Sequence, residues 1–149
     1  MIPIILEAKE HSNTIPQRVI IITGMHRSGT SLVASMIQKA GVNIGDRLLP
    51  PEQGNPRGYF EDVDFYEFQD RVLHRMGHAF LAQAATFSEW LPSELTEARA
   101  LIAARQDRVM WGWKDPRTSL FLDEWHALVS QPRYLMVYRP PIELAISLL

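Results

Sequence analysis

The run from Arg18 to Gly41 constrains this chain more than any other stretch. It begins with Val19-Ile20-Ile21-Ile22-Thr23, a succession of β-branched residues. A short run of that kind, with no polar alternation, reads as a parallel strand buried on both faces. Gly24 and Gly29 follow, with four residues between them, and then Leu32, Val33, Met36, Ile37 and Ala40 recur at helical spacing. Gly41 stands where a helix stop is expected. Strand, glycine-bounded loop and helix, in that order, aim backbone N–H groups and the positive end of a helix dipole at an anion. A phosphate-bearing ligand is therefore expected on Ser28 to Ser31.

The loop Gly24-Met25-His26-Arg27-Ser28-Gly29-Thr30-Ser31 compares with the triphosphate-binding pattern G-x-x-x-x-G-K-[ST]. The glycine spacing and the final hydroxyl match, but Thr30 stands where the lysine belongs. That lysine neutralises the outer phosphates, so its replacement argues against ATP or GTP. The cation has moved forward to Arg27, whose guanidinium grips a phosphate as a two-pronged fork. The spacing implies one phosphate held tightly, rather than three with a magnesium ion.

Further along, Phe65, Phe68, Val72, Leu73 and Met76 fall at helical spacing, with Asp62 or Asp64 as the cap. Pro92-Ser93 opens a helix from Glu94 to about Arg105, with Leu95, Ala98, Leu101 and Ile102 inward. Val109 to Trp113 reads as a second strand, Thr118 to Val129 as a helix, and Tyr134 to Tyr138 as a third strand. Pro140-Pro141 suits a turn into a last helix. Val42 to Gly58, rich in proline and glycine, is a long loop of the kind that carries function. Residues 79–92 read as a turn with Trp90 packed beneath it. Alternating strands and helices predict the α/β class: a three-layer α/β/α domain with a central parallel sheet, resembling P-loop NTPases. Residues 1–17 are expected to be a flexible lead-in and 18–149 the domain. Ile142 to Leu149 reads as a helix still in progress, so the domain is expected to be incomplete at its C-terminus.

A length of 149 residues with 46% hydrophobic and 21% charged residues fits one globular domain. The net charge of −2 gives no reason to expect nucleic acid. Without cysteine there is no disulfide, thiolate zinc site or thiol nucleophile. The histidines show no H-E-x-x-H spacing, and His74 with His78 suits a solvated helix face, so no metal is expected. No apolar run reaches the length of a signal-peptide core or a membrane span, so a soluble, reducing, cytoplasmic setting is expected.

In parallel sheets, ligands bind outside the carboxyl ends of the strands. Strand one ends in His26 to Ser31 and strand two in Trp113-Lys114-Asp115-Pro116-Arg117. Strand three ends in Arg139, with Ser147 eight residues on. Arg27, Lys114 and Arg139 should then share one rim, which suits a ligand with two anionic groups and a third anion in transfer. Asp115 reads as structural, bonding N–H groups of its own turn. Arg117 fits either the site or a salt bridge. The aromatic group Tyr59, Phe60, Phe65, Tyr66 and Phe68 reads as core, with one ring lining an acceptor pocket.

These stretches resemble the sulfotransferases that use 3'-phosphoadenosine 5'-phosphosulfate (PAPS). His26 to Ser31 resembles that family's 5'-phosphosulfate loop, P-[KR]-S-G-T-[TS], with His26 where many members have proline. Arg139 and Ser147 resemble its 3'-phosphate pair. Lys114-Asp115-Pro116 resembles a segment of the tyrosylprotein and bacterial branches, and Gly54 to Asp62 resembles a stretch of bacterial members. The resemblance covers most of residues 19–149, and the family's later part has no counterpart here. It implies in-line transfer of a sulfuryl group from PAPS to a hydroxyl or amine without a metal. Arg27, Ser28, Gly29, Thr30 and Ser31 would hold the 5'-phosphosulfate, and Arg139 and Ser147 the 3'-phosphate. Arg27 and Lys114 would stabilise charge on the leaving phosphate and the sulfuryl oxygens. Glu61, beside aromatic residues that would raise its pKa, is the expected base, with Glu52 and Asp62 as alternatives. The acceptor is open among carbohydrate, peptide, lipid and small alcohol. A nucleotide kinase of the same fold and a non-catalytic nucleotide-binding remnant are the competing readings.

Overall fold

A computed structural model describes residues 17–52, 55–77 and 89–147. All of the expected lead-in at 1–17 except Gln17, together with Gly54, His78 and most of the 79–92 turn, lies outside the described residues. Strands β1 (Arg18–Gly24), β2 (Met110–Lys114) and β3 (Arg133–Val137) form a parallel sheet in the order β2-β1-β3. Helices α1 (Thr30–Lys39), α2 (Val63–Arg75), α3 (Pro92–Ala103), α4 (Leu122–Leu128) and α5 (Pro141–Ile146) connect or follow them. The architecture is α/β, as the alternation of patterns implies.

The β-branched run takes the central position, and its pleat divides the core in two. Val19 and Ile21 join Trp111 and Trp113 against the buried faces of α2, α3 and α4. Ile22 faces the other way, onto Ala34 of α1 and the buried Val42 and Ile44. Residues of α2, α3 and α4 thus pack on one side of β1, and α1 with the chain that follows it on the other. The first cluster is dominated by rings. Phe65 stacks on Trp113 with centroids 4.2 Å apart, and Trp125 lies 5.0 Å from both Trp113 and Trp90. Such pairs add about 0.5–1.5 kcal/mol each beyond the area they bury. Gly112 separates Trp111 from Trp113 because a Cβ there would sit 1.7 Å from the Ile20 carbonyl oxygen.

Several boundaries differ from the sequence reading for local reasons. α1 buries Ala34 and half-buries Val33 and Ile37, whereas Leu32 and Met36 are 60% and 61% exposed. Both stripes satisfy a 3.6-residue period, and only the sheet decides between them. The helix expected from Thr118 to Val129 is broken. Pro116–Leu120 forms a 3-10 turn, and α4 begins only at Leu122. Thr118 there donates its hydroxyl to Gln69 Oε1 and accepts from the Trp113 indole, which holds the turn in place. Asp62 is the cap of α2, accepting from the Asp64 N–H at 2.9 Å. Its other oxygen accepts from buried Arg105 at 2.7 Å, tying the start of α2 to the chain just after α3.

Candidate functional site

Parallel pairing brings the three carboxyl ends to one edge. Ile22 pairs with Lys114, and Gly24 pairs with Val137. The tip of β1 is fixed on both sides. Thr23 Oγ1 donates to the Asp115 carbonyl at 3.0 Å. Gly24, at φ 144°, lies so close to β3 that a Cβ would stand 2.2 Å from the Val137 oxygen.

The loop leaving β1 turns through Arg27 and Gly29, both at positive φ (67° and 101°). It delivers Thr30 as the first residue of α1. Ser28 is buried, its N–H donates to the Met25 carbonyl, and its Oγ has no hydrogen-bond partner among the described residues. A buried hydroxyl without a partner is costly unless something else supplies one. Thr30 is buried as well. The Ser31 hydroxyl is engaged elsewhere, donating to the Tyr59 carbonyl at 3.1 Å and accepting from Asn55 Nδ2 at 3.5 Å.

Arg27, Arg139 and Ser147 meet. Arg27 Nε lies 3.4 Å from Ser147 Oγ, and its Nη2 lies 3.3 Å from the Ser147 carbonyl oxygen. Arg139 Nη1 donates to the Arg27 carbonyl at 3.3 Å, and its Nε pairs with Glu143 at 3.0 Å. All of these bonds are exposed, and those to Arg27 are long.

The β2 side is different. Lys114 Nζ donates to Glu61 Oε1 at 2.6 Å, with both side chains buried. Arg117, also buried, lies 3.5 Å from Glu61 Oε2, 3.2 Å from Asp115 Oδ1 and 3.3 Å from Asp70 Oδ1. Its guanidinium covers the Tyr66 ring at 4.0 Å. Asp115 behaves as its turn position implies, accepting from the Arg117 N–H at 2.8 Å, and Gln69 donates to its second oxygen at 2.9 Å. Burial pushes the Asp115 carboxyl up, against the pull of Arg117, to about 6. Glu61 was expected among aromatic rings. Tyr59 and Tyr66 are indeed close, but its two oxygens face cations.

Between this network and the loop lies a cavity of ≈ 220 Å³, lined by His26, Glu52, Tyr59, Glu61, Tyr66 and Arg117, with Leu49 and Pro50. His26 is held at about 4, first by burial and then by Arg117 and Lys114, so its imidazole is neutral at neutral pH. Tyr59 donates to Glu52 at 3.0 Å, and that bond raises the phenol's pKa.

Gln69, Asp70 and the full reach of Arg117 are absent from the site the motifs define, whereas Tyr59 belongs to the aromatic group from which a pocket-lining ring was expected. Gln69 did carry a signal: it is a polar residue on the apolar stripe of α2, beside Phe65, Phe68 and Val72. His74 bonds Asp70 on an exposed face, at 3.4 Å. Among the described residues no group of three or more His, Cys, Asp or Glu is placed to hold a metal ion. No described helix is long and apolar enough to cross a membrane. Neither the family models, the curated proteins nor the solved structures contain a match to this chain.

Proposed function

We propose that this chain is a sulfotransferase domain of P-loop-like, three-layer architecture that uses PAPS as donor and a hydroxyl group as acceptor. The observation that carries the proposal is the meeting of Arg27, Arg139 and Ser147 beside a glycine loop that lacks the triphosphate lysine. The parallel sheet, packed on both sides of β1 and with the loop at the tip of that central strand, supports the fold assignment. The partnerless Ser28 hydroxyl fits an anion at that loop.

In this reading the donor supplies an activated sulfuryl group on its 5'-phosphate. Loop N–H groups, Ser28 and Arg27 bind that phosphate, and Arg139 with Ser147 binds the 3'-phosphate. The contacts of Arg27 and Arg139 are exposed, and those that involve Arg27 are long, so a dianion displaces them at small cost. The acceptor O–H attacks sulfur, the new S–O bond forms, and the bond from sulfur to the bridging phosphate oxygen breaks. The electron pair leaves on the 5'-phosphate, where Arg27 offsets the charge. Lys114, at the tip of β2 and buried against Glu61, meets the sulfuryl oxygens only once that pair loosens. The acceptor's proton passes to Glu61, which faces the cavity but must first loosen its pair with Lys114. His26, neutral and in the same wall, is the competing proton acceptor. Positioning does most of the work, as in phosphoryl transfer.

Calorimetry with 3'-phosphoadenosine 5'-phosphate against ATP with magnesium tests the reading. Tighter binding of the bisphosphate is expected. Tighter binding of ATP overturns it in favour of a nucleotide kinase.

A further inference from the structure

A second cavity, of ≈ 480 Å³, opens between the outer face of α1 and residues 55–60. We infer that it binds a small organic anion: a carboxylate or phosphate carried on an apolar ring, with the anion on Arg57 and Lys39 and the ring on Leu32 and Phe60. The inference goes beyond the sulfotransferase reading and does not rest on it.

Charge selects the sign of the ligand. Lys39 and Arg57 line the cavity, and no carboxylate does. Among the described residues neither cation has an ion-pair partner. The carboxylates nearest to Arg57 in sequence, Glu52 and Glu61, line the other cavity, where Tyr59 and Lys114 hold them. Two cations in a hollow without an acid attract an anion and repel an ammonium ion. The guanidinium of Arg57 grips a carboxylate or phosphate as a fork, and the Lys39 ammonium adds a point charge.

Apolar surface selects what carries the anion. Leu32, Ser35 and Lys39 share one face of α1 at helical spacing. Leu32 belongs to the stripe turned away from the sheet and is 60% exposed. Phe60, half-buried, stands opposite on the other wall. An inorganic ion would leave both side chains in water, whereas a ring removes them from it. The volume lies within the ~300–1,000 Å³ of small-ligand sites, so a bicyclic ring with one anionic group fits.

The walls are set before any ligand arrives. Ser31 Oγ donates to the Tyr59 carbonyl at 3.1 Å, and Asn55 Nδ2 donates to the Gly58 carbonyl at 2.7 Å. These bonds fasten residues 55–60 to α1, which lowers the ordering cost of binding. Gly58 and Phe60 both take positive φ, 88° and 57°. A bulky residue is rarely found there. Across this bend Tyr59 lines one cavity and Phe60 the other. Strain of this kind is kept where the surroundings hold it, and it gathers at ligand sites.

The test is a set of NMR titrations of the labelled full chain with 2-naphthyl phosphate, 2-naphthoate, 2-naphthol, 2-naphthylmethylamine and inorganic phosphate. Both naphthyl anions are expected to bind and to shift the amides of Leu32, Ser35 and Gly58. The ratio of their affinities tells a phosphate site from a carboxylate site. Naphthol and inorganic phosphate should each bind about ten-fold more weakly than naphthyl phosphate, since each lacks one of the two contacts. Arg57→Ala and Lys39→Ala should each weaken the naphthyl anions about ten-fold, the worth of a hydrogen bond to a charged group. Leu32→Ser should weaken them roughly three- to ten-fold. All three side chains are exposed, so the variants should keep the wild-type amide spectrum away from the cavity. Naphthol or the amine binding as tightly as the anions overturns the inference, because charge is then not read. Inorganic phosphate binding as tightly as naphthyl phosphate overturns it too, as does unchanged affinity in both Arg57→Ala and Lys39→Ala. Saturating 3'-phosphoadenosine 5'-phosphate should leave the naphthyl anion bound; displacement would make the cavity part of the donor's footprint and end its standing as a separate site. If the bisphosphate does not bind while the naphthyl anions do, the sulfotransferase reading falls and this inference stands.

Discussion

The two sides of β1 carry the same chemistry in opposite states. Toward β2, Lys114 and Arg117 are 2% exposed and bound to Glu61, Asp115 and Asp70. Toward β3, the Arg139 side chain is 40% exposed and, like Arg27, relies on solvent-accessible contacts. A buried cation needs its counter-ion for the fold to exist, because an unpaired charge in the interior costs several kcal/mol. An exposed cation has little invested in its partner and can exchange it. The β2 side is thus held firmly by its own pairs, and the β3 side is where a ligand's charge is taken up at least cost. A motif scores both arginine and lysine as "basic"; burial decides which are scaffold and which are available.

The sharpest way to break this contrast is to remove a charge from the wall. Lys114→Ala leaves Glu61 buried beside Arg117 alone, and about 3–5 kcal/mol of stability should be lost in urea unfolding. A loss under about 1 kcal/mol would mean that the pair is not buried in solution. Next, Arg139→Ala should weaken 3'-phosphoadenosine 5'-phosphate by about 10–100-fold, the worth of ~1.5–3 kcal/mol for a hydrogen bond to a charged group. Its unfolding free energy should move by no more than ~0.5 kcal/mol. Equal donor affinity in wild type and variant would remove Arg139 from the site. Arg27→Ala should also abolish transfer while the folded far-UV spectrum is retained; measurable turnover sinks its catalytic role.

Smaller effects sharpen the picture at the boundary. The native pKa of His26, about 4, lies below the ordinary 6.5. Between those values the unfolded chain binds a proton that the native state refuses, so this contribution is intact above about pH 6.5 and is lost as pH falls toward 4. Asp115 is raised, so in part of the same window it acts in the opposite direction. Subtracting the pH–stability profile of His26→Gln from wild type isolates the histidine. A flat difference would show that its ring is hydrated. In activity, Glu61→Gln and His26→Gln separate the two proton acceptors: the true one loses the acidic limb of the rate profile.

Local order was legible and remote pairing was not. The strand, loop and first helix followed from Val19 to Gly41 because glycines and β-branched residues act on their own backbone. Asp115 was legible as a turn residue for the same reason. The environment of Glu61 was not, since its partner Lys114 lies 53 residues away and no spacing rule links them. The choice between the Leu32–Met36 and Val33–Ile37 stripes of α1 was equally out of reach, because both obey one period and the sheet picks. The break at Pro116–Leu120 depends on Gln69 from another helix. Arg27 and Arg139 were placed on one rim because each follows the carboxyl end of a parallel strand, and Arg139 donates to the Arg27 carbonyl.

The bond between Arg27 and Ser147 spans 120 residues of chain. Contacts that distant are closed late and slowly when a protein folds. A growing polypeptide cannot complete this grip until Ser147 has emerged. Any molecule that holds both arginines therefore rewards only the finished topology, adding to native stability as RT ln(1 + [L]/Kd). Refolding in the presence of the bisphosphate should yield more native protein, with no change in the earliest phase.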